Sequence, residues 1–116
     1  MKKITETIEV DLNYFIGKQD ELKGIFNGGV KEPLFTDELK IDVSEDEIFD
    51  ETKDDFVKNG KINISIAGTD NALYELGKFL IAISRYETLD KEYHEHLDNI
   101  RNSNQQHVIN LTIRKG

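Results

Sequence analysis

Two histidines stand two residues apart near the end of the chain, at His94 and His96, in the run Tyr-His-Glu-His-Leu-Asp. On a β-strand, residues i and i+2 point to the same face, and this spacing suits two ligands of one metal ion. A catalytic zinc site needs three protein ligands and an open position. Glu92 and Asp98 could supply oxygen ligands, whereas His107 falls on the opposite face of a regular strand. The pattern favours exposed polar residues of a sheet over a partner contact, and a partner contact over a metal site.

A second group of chemically active residues is acidic. Residues 37–55 hold ten Asp and Glu against two Lys, so this segment accounts for the net charge of the whole chain, −8. These carboxylates lack the glycine-punctuated spacing of a calcium loop and the apolar surroundings that raise a carboxyl pKa for general acid catalysis. The candidate partner-binding residues are six of these acids and the two histidines: Asp42, Glu45, Asp46, Glu47, Asp50, Glu51, His94 and His96.

The acidic segment restricts the classes of partner. A nucleic-acid backbone or an anionic membrane would be repelled, so we expect no nucleic acid, no membrane and a basic protein as the partner. The plainer interpretation of the same run is a solvated loop that keeps the chain soluble.

The chain contains no cysteine, which excludes disulfides, thiol nucleophiles and cysteine-based zinc sites. It contains no glycine-rich phosphate loop, dinucleotide fingerprint or nucleophile elbow. We therefore predict a protein that is not an enzyme, with no catalytic residue, no metal and no cofactor. The longest apolar run, residues 79–83, is far too short to span a membrane, and no apolar signal segment follows the first lysines. A cytoplasmic location is expected.

The chain has 116 residues, the length of one domain over residues 1–116. Its clearest unit runs from Lys61 to Asp98 as strand, helix and strand. Ile62, Ile64 and Ile66 alternate with polar residues, and Gly68-Thr69 then opens an amphipathic helix over about 70–86. We expect this helix to cover the three isoleucines, with Gly77 marking a close approach of the helix backbone to the sheet.

The remaining elements are predicted from shorter patterns. Alternation predicts strands over residues 4–12, 39–43 and 108–114, of which the second suits a sheet edge. A short helix is expected over residues 19–26. The acidic part, about residues 42–60, is either an irregular insertion or a weak helix that begins with the capping-box pattern of Ser44 and Glu47.

These elements predict an α+β fold with two layers, in which a mainly antiparallel sheet carries one main helix (about 70–86) on one face. The last two strands should form an antiparallel hairpin. The opposite sheet face, which includes His94 and His96, would be polar, and it would be either open to water and a partner or covered by the N-terminal half.

Residues 64–80, Ile-Ser-Ile-Ala-Gly-Thr-Asp-Asn-Ala-Leu-Tyr-Glu-Leu-Gly-Lys-Phe-Leu, and residues 93–98, Tyr-His-Glu-His-Leu-Asp, resemble the immunity protein 32 family of bacterial polymorphic toxin systems. The resemblance covers residues 61–114 and leaves the N-terminal half without a counterpart. It implies a cytoplasmic antidote that binds and neutralises a cognate toxin, and it carries over no catalytic residue. Together with the acidic segment, it leads us to expect a basic toxin domain, such as a nuclease, as the partner.

Two alternatives belong to other classes of protein. One is a metal-binding protein or enzyme that uses His94 and His96. The other is a structural adaptor module, with a homodimer formed through the edge at residues 39–43. The sequence leaves open whether the protein is a monomer or a homodimer.

Overall fold

A four-stranded sheet and one helix form the structure, a computed structural model that describes residues 1–12, 20–33, 35 and 38–116. The elements are β1 (Leu39–Asp50), β2 (Asp55–Gly68), α1 (Asp70–Arg85), β3 (His94–Arg101) and β4 (Val108–Arg114). The strand order is β2-β1-β3-β4. The β1–β2 and β3–β4 pairs are antiparallel, whereas β1 and β3 are parallel and pair at Lys40 and Arg101. The predicted α+β fold, with a single main helix packed on a mainly antiparallel sheet, is confirmed.

The predicted helix over about 70–86 is confirmed at Asp70–Arg85. Thr69 caps it, because its hydroxyl accepts a hydrogen bond of 3.2 Å from the backbone N–H of Ala72. Asp70 lies in the first turn and Arg85 in the last, where their charges suit the helix dipole. The face that packs on the sheet consists of Ala72, Leu76, Phe79, Ala82 and Ile83.

The core lies beneath this helix and not along the whole sheet. Leu39 and Ile41 at the start of β1 are buried, as are Leu97 and Ile100 on β3. Ile109, Leu111 and Ile113 of β4 are half-buried against them, as their alternation predicted. The core therefore occupies the half of the sheet nearest to the helix.

Gly77 does not lie against the sheet, so that prediction is wrong. A Cβ atom at Gly77 would have no neighbour within 4 Å. The close approach occurs instead at Gly68, where a Cβ atom would lie 3.1 Å from both the Ala72 Cβ and the Leu39 Cδ1. The glycine at the strand–helix junction, and not the one inside the helix, lets the two layers meet.

Of the two N-terminal predictions, the strand is wrong and the short helix agrees only in part. Residues 4–11 form no strand, and Leu12 makes only an isolated bridge to Val30. Of the helix expected over 19–26, Asp20 and Glu21 are helical, the next three residues form a turn, and Gln19 lies outside the described residues. An alternating pattern becomes a strand only when another strand supplies hydrogen bonds.

The acidic segment is neither a weak helix nor an irregular insertion, because β1 continues through it to Asp50 and β2 returns from Asp55. Nor is the 39–43 segment a sheet edge, since β1 lies between β2 and β3. Cross-strand pairs explain why apolar residues at helical spacing form strands here and not the predicted weak helix. Phe49 lies opposite Phe56 and Ile48 opposite Val57, so each apolar residue meets its partner across the hairpin.

The expectation that the helix covers Ile62, Ile64 and Ile66 is also wrong. The three side chains are 65%, 67% and 47% exposed. Since α1 starts directly after Gly68, it packs over the β2 end nearest to it, and the rest of the hairpin extends away from the core.

Candidate functional site

The β1–β2 hairpin projects from the body of the protein. The molecule measures 63 × 36 × 33 Å, and its Cα radius of gyration is 19.0 Å, whereas a compact domain of this length would have a radius of about 13 Å. Beyond Val43 and Ile66, most side chains on both faces of the hairpin are exposed. A projecting, two-sided ribbon of this kind offers surface to another molecule.

One face of this hairpin is apolar. Residues that lie directly opposite on two antiparallel strands share a face, and Ile41 pairs with Ile66, Val43 with Ile64 and Glu45 with Ile62. We call Val43, Ile62, Ile64 and Ile66 the hairpin apolar face; all four side chains are 47% exposed or more. Sequence reasoning identified the alternation but placed these residues in the core.

A bulge between Glu45 and Glu47 interrupts the ladder, and Asp46 holds it together. The Asp46 carboxylate accepts hydrogen bonds from the side-chain amides of Asn59, at 2.6 Å, and Asn63, at 3.3 Å. These two contacts bridge the extra residues on β2. Asp46, predicted as a partner-binding residue, therefore also has a structural role.

The tip of the hairpin is built by an aromatic pair and a tight turn. The rings of Phe49 and Phe56 meet edge to face with centroids 5.4 Å apart. The Asp50 carboxylate accepts a 2.9 Å hydrogen bond from the Thr52 backbone N–H. Asp54 takes a positive φ of 52°, which Asp tolerates better than most residues. In this turn, the Glu51 side chain is exposed to solvent.

Asp42 links the hairpin to the β3–β4 connection. Its carboxylate accepts hydrogen bonds from the Ser103 hydroxyl and from the Ser103 backbone N–H, the latter at 2.8 Å. These hydrogen bonds, assisted by the nearby charge of Lys40, lower the pKa of Asp42. Asp42 thus fixes the root of the hairpin in addition to carrying charge.

The remaining predicted acids point to solvent. Glu45 forms an ion pair of 2.5 Å with Lys58, and both side chains are more than half exposed, so the pair adds little stability. Among the residues that the structure describes, Glu47 and Glu51 have no side-chain hydrogen bond or ion pair. Over residues 39–68 the hairpin carries eight Asp and Glu against four Lys. Its charge is therefore only partly neutralised within the hairpin.

His94 and His96 are exposed on β3, on the polar face that the sequence predicted. Their rings meet edge to face at 4.7 Å. The Nδ1 of His94 is 2.8 Å from the Glu92 carbonyl, and the Nδ1 of His96 is 3.0 Å from the Thr112 hydroxyl. Within the described part of the chain, no group of three or more His, Asp or Glu could hold a metal ion. Metal binding by His94 and His96 stays an alternative hypothesis, which elemental analysis of the purified protein would test.

The histidines and the hairpin acids do not form one cluster. β1 and β3 are parallel and pair at Lys40 and Arg101, so the strands lead in opposite directions from that pair to Asp46 and to His94. Counted along the strands, the two positions are separated by on the order of 40 Å. One small partner domain would engage one end of the sheet or the other.

A buried polar cluster lies at the end of the molecule opposite the hairpin tip. The sequence analysis did not predict it. The carboxylate of Glu21, which is 4% exposed, accepts hydrogen bonds from the Thr88 hydroxyl and, at 3.2 Å, from the Leu89 backbone N–H. Nearby, the Glu95 carboxylate accepts a 3.0 Å hydrogen bond from the Tyr93 hydroxyl. Burial, followed by the charge of Glu95, raises the pKa of Tyr93.

One cavity lies along the helix, and a second lies beyond its C-terminal end. The second, of about 220 Å³, lies beside the Glu21 cluster, and the first, of about 340 Å³, lies between the helix and the segments around Val10 and Glu32. Burial and the charges of Asp98 and Glu95 raise the pKa of Glu32, whereas His96 lowers it. Both cavities mix acidic with apolar groups.

Comparison with protein-family models, with curated proteins and with solved structures found no match to this chain. None of the helices in the described part of the chain is long and apolar enough to cross a membrane. The function must therefore be inferred from the geometry and charge of the chain itself.

Proposed function

We propose that this chain is a non-enzymatic binding protein of the cytoplasm, an immunity protein that binds and neutralises a cognate basic toxin domain such as a nuclease. The observation that carries the proposal is the projecting β1–β2 hairpin, which holds eight acids against four lysines. Six of these eight acids lie on the two paired strands, and the other two, Glu51 and Asp54, lie in the turn that joins them. The likeness of residues 61–114 to the immunity protein 32 family adds support.

Electrostatics accounts for how such a hairpin would act. An acidic projection lowers the energy of a basic protein as it approaches, and it therefore raises the association rate. On a nuclease, the hairpin would occupy the basic path that the nucleic-acid backbone follows. Inhibition would then result from occlusion and would need no chemistry from the bound protein.

The proposed function predicts that a neighbouring gene encodes the toxin domain. The test uses that domain, inactivated by mutation, and measures its association rate by stopped-flow fluorescence. Glu47→Lys with Glu51→Lys should lower the association rate by about ten-fold at low salt, since steering depends on such charges. The difference should shrink as salt screens it. Both carboxylates are exposed, so the folded state should be unaffected.

A matched control changes the net charge equally, away from the hairpin. Glu6→Lys with Glu92→Lys alters two exposed carboxylates outside β1 and β2. The control should bind the toxin at close to the parent rate. Equal rates for both double variants would refute the electrostatic mechanism, and no binding by the parent protein would refute the proposed function.

A further inference from the structure

The hairpin apolar face is an unpartnered surface at the centre of the acidic hairpin. Ile62 and Ile64 are 65% and 67% exposed, and Val43 on the adjacent strand is 61% exposed. Val43 and Ile64 lie directly opposite each other, with Ile62 and Ile66 on either side along β2. The four side chains therefore form one continuous patch.

This patch differs from scattered surface hydrophobics. An antiparallel strand that alternates apolar and polar residues normally buries its apolar face against a second layer. Here the helical layer covers Leu39 and Ile41 but does not extend over the hairpin apolar face. Contiguous apolar patches of more than a few hundred Å² on a monomer usually mark an interaction site.

The charge around the patch decides which occupant it fits. Glu45 lies opposite Ile62 at one end of the patch, and the hairpin carries twice as many acids as lysines. If two copies of the chain packed through this face, two acidic hairpins would be brought together and like charges would repel. A basic partner would instead attract the acids and cover the apolar side chains.

We propose that the hairpin apolar face is the docking site for the toxin domain, and that it receives an apolar surface of that domain bordered by Lys and Arg. This inference rests on the proposed function and specifies its interface. The fully covered centre of a protein interface is apolar, whereas its rim is polar and charged. The hairpin supplies both parts, with isoleucines at the centre and the Glu45 carboxylate, followed by the acids of the outer hairpin, at one end.

The two parts of this interface have separable kinetic effects. Long-range charge acts before contact, so the acids govern the association rate. Apolar contacts form only after docking, and their loss appears mainly in the dissociation rate. The isoleucines should therefore control the lifetime of the complex in a way that salt does not mask.

The experiment replaces Ile62→Thr and Ile64→Thr together. Threonine keeps the β-branched shape that strands favour but removes apolar surface. The control, Ser44→Thr with Ser65→Thr, places the same residue type at exposed positions on the opposite face of the hairpin. The probe is the same inactivated toxin domain that tests the proposed function, with both rate constants measured by surface plasmon resonance.

We expect the isoleucine variant to raise the dissociation rate by more than about ten-fold, as loss of a central apolar contact does, and to leave the association rate within about two-fold. The control should match the parent protein. An unchanged dissociation rate, with the toxin still bound and neutralised by the parent, would overturn this inference while the proposed function stands. Loss of the salt effect with a retained isoleucine effect would overturn the electrostatic mechanism alone.

A second measurement tests the rival occupant. Light scattering of the free protein at micromolar concentration should give a monomer mass. A dimer that the Ile62→Thr and Ile64→Thr variant dissociates would assign the face to a second copy of the chain and overturn the toxin as its occupant. Failure of the parent protein to bind the toxin would overturn this inference together with the proposed function.

Discussion

Gly77 lies inside helix α1 and gains no packing contact from the absence of a side chain. A Cβ atom there would meet no neighbour within 4 Å, and glycine inside a helix costs about 1 kcal/mol relative to alanine. Gly77→Ala should therefore raise the free energy of unfolding by about 1 kcal/mol, as measured by urea denaturation followed by circular dichroism.

Gly68→Ala is the matched control for the Gly77 substitution. At this junction the new methyl group would lie 3.1 Å from both Ala72 and Leu39, so it should lower the free energy of unfolding by about 1 kcal/mol or more. Stabilisation at Gly68 together with destabilisation at Gly77 would mean that the helix packs on the sheet in another register.

Asp42 should make stability depend on pH. Hydrogen bonds from Ser103 hold the pKa of Asp42 below its usual value in the folded state. A carboxyl group with a lowered pKa contributes stability above its unfolded pKa, and this contribution is lost as pH falls through the lower, folded pKa. Asp42→Asn should therefore lower the urea midpoint at pH 6 and have less effect at pH 3.

Glu51→Gln is the comparison for Asp42, because its carboxyl is exposed on the turn and has no side-chain partner among the described residues. Its urea midpoint should follow that of the parent protein at both pH values. An Asp42→Asn variant that also follows the parent would show that the hydrogen bonds to Ser103 do not stabilise the folded state.

The elements that were predicted correctly have a clear local sequence pattern, and each packs against a segment that is close in sequence. Thr69 is a good N-cap at the start of an amphipathic stretch, and the last two strands are joined by a short turn-forming segment. Residues 4–11 have an equally regular alternation, yet they pair with no strand in the described part of the chain. Pairing between distant segments leaves no trace in the pattern of either segment alone.

The long hairpin shows how a local signal can mislead. Ser44 and Glu47 match a capping box, and the apolar residues after them fall at helical spacing. The long β1–β2 ladder outweighs these preferences, and the aromatic contact between Phe49 and Phe56 reinforces it. The acidic residues are candidates chosen from the sequence alone, and their shared strand geometry depends on this pairing.

Asp46 should determine how firmly the outer half of the hairpin is closed. Its carboxylate accepts hydrogen bonds from Asn59 and Asn63 across the bulge. Asp46→Ala should therefore speed amide hydrogen exchange in residues 55–63 by about ten-fold, the effect of losing hydrogen bonds to a charged group. Exchange within the helix should stay unchanged. Mass spectrometry of peptic fragments gives both values.

The conservative variant Asp46→Asn separates hydrogen bonding from charge. Its side-chain carbonyl can still accept one hydrogen bond, so exchange in residues 55–63 should fall between the rates of the parent protein and Asp46→Ala. Uniform acceleration across the hairpin and helix α1 in Asp46→Ala would mean that the hairpin opens only with global unfolding.

At the scale of the whole molecule, the sequence could not show which apolar faces meet. The alternating pattern predicted that Ile62, Ile64 and Ile66 are buried, because alternation usually indicates a strand with one buried face. Their exposure follows from where α1 begins and which way it runs over the sheet. The direction of the helix depends on tertiary packing. It leaves an apolar face exposed on the acidic hairpin, and the charge run alone does not reveal that face.

The division between a helix-covered core and a projecting hairpin predicts that the hairpin can be shortened without unfolding the protein. Ser44 and Asn63 lie opposite each other, so residues 45–62 can be replaced by Asn-Gly, which forms a tight hairpin turn. Every residue of the buried core lies outside the deleted stretch. The free energy of unfolding should therefore change by no more than about 1 kcal/mol.

Two measurements on this shortened protein separate stability from recognition. X-ray scattering should show a radius of gyration below that of the parent, while thermal denaturation stays cooperative. Binding to the toxin domain should be lost, because five of the six predicted acidic residues and Ile62 are removed together. A shortened protein that no longer folds would show that the outer hairpin supports the core. One that folds and still binds would place the interface elsewhere, with the exposed polar face around His94 and His96 as the next surface to change.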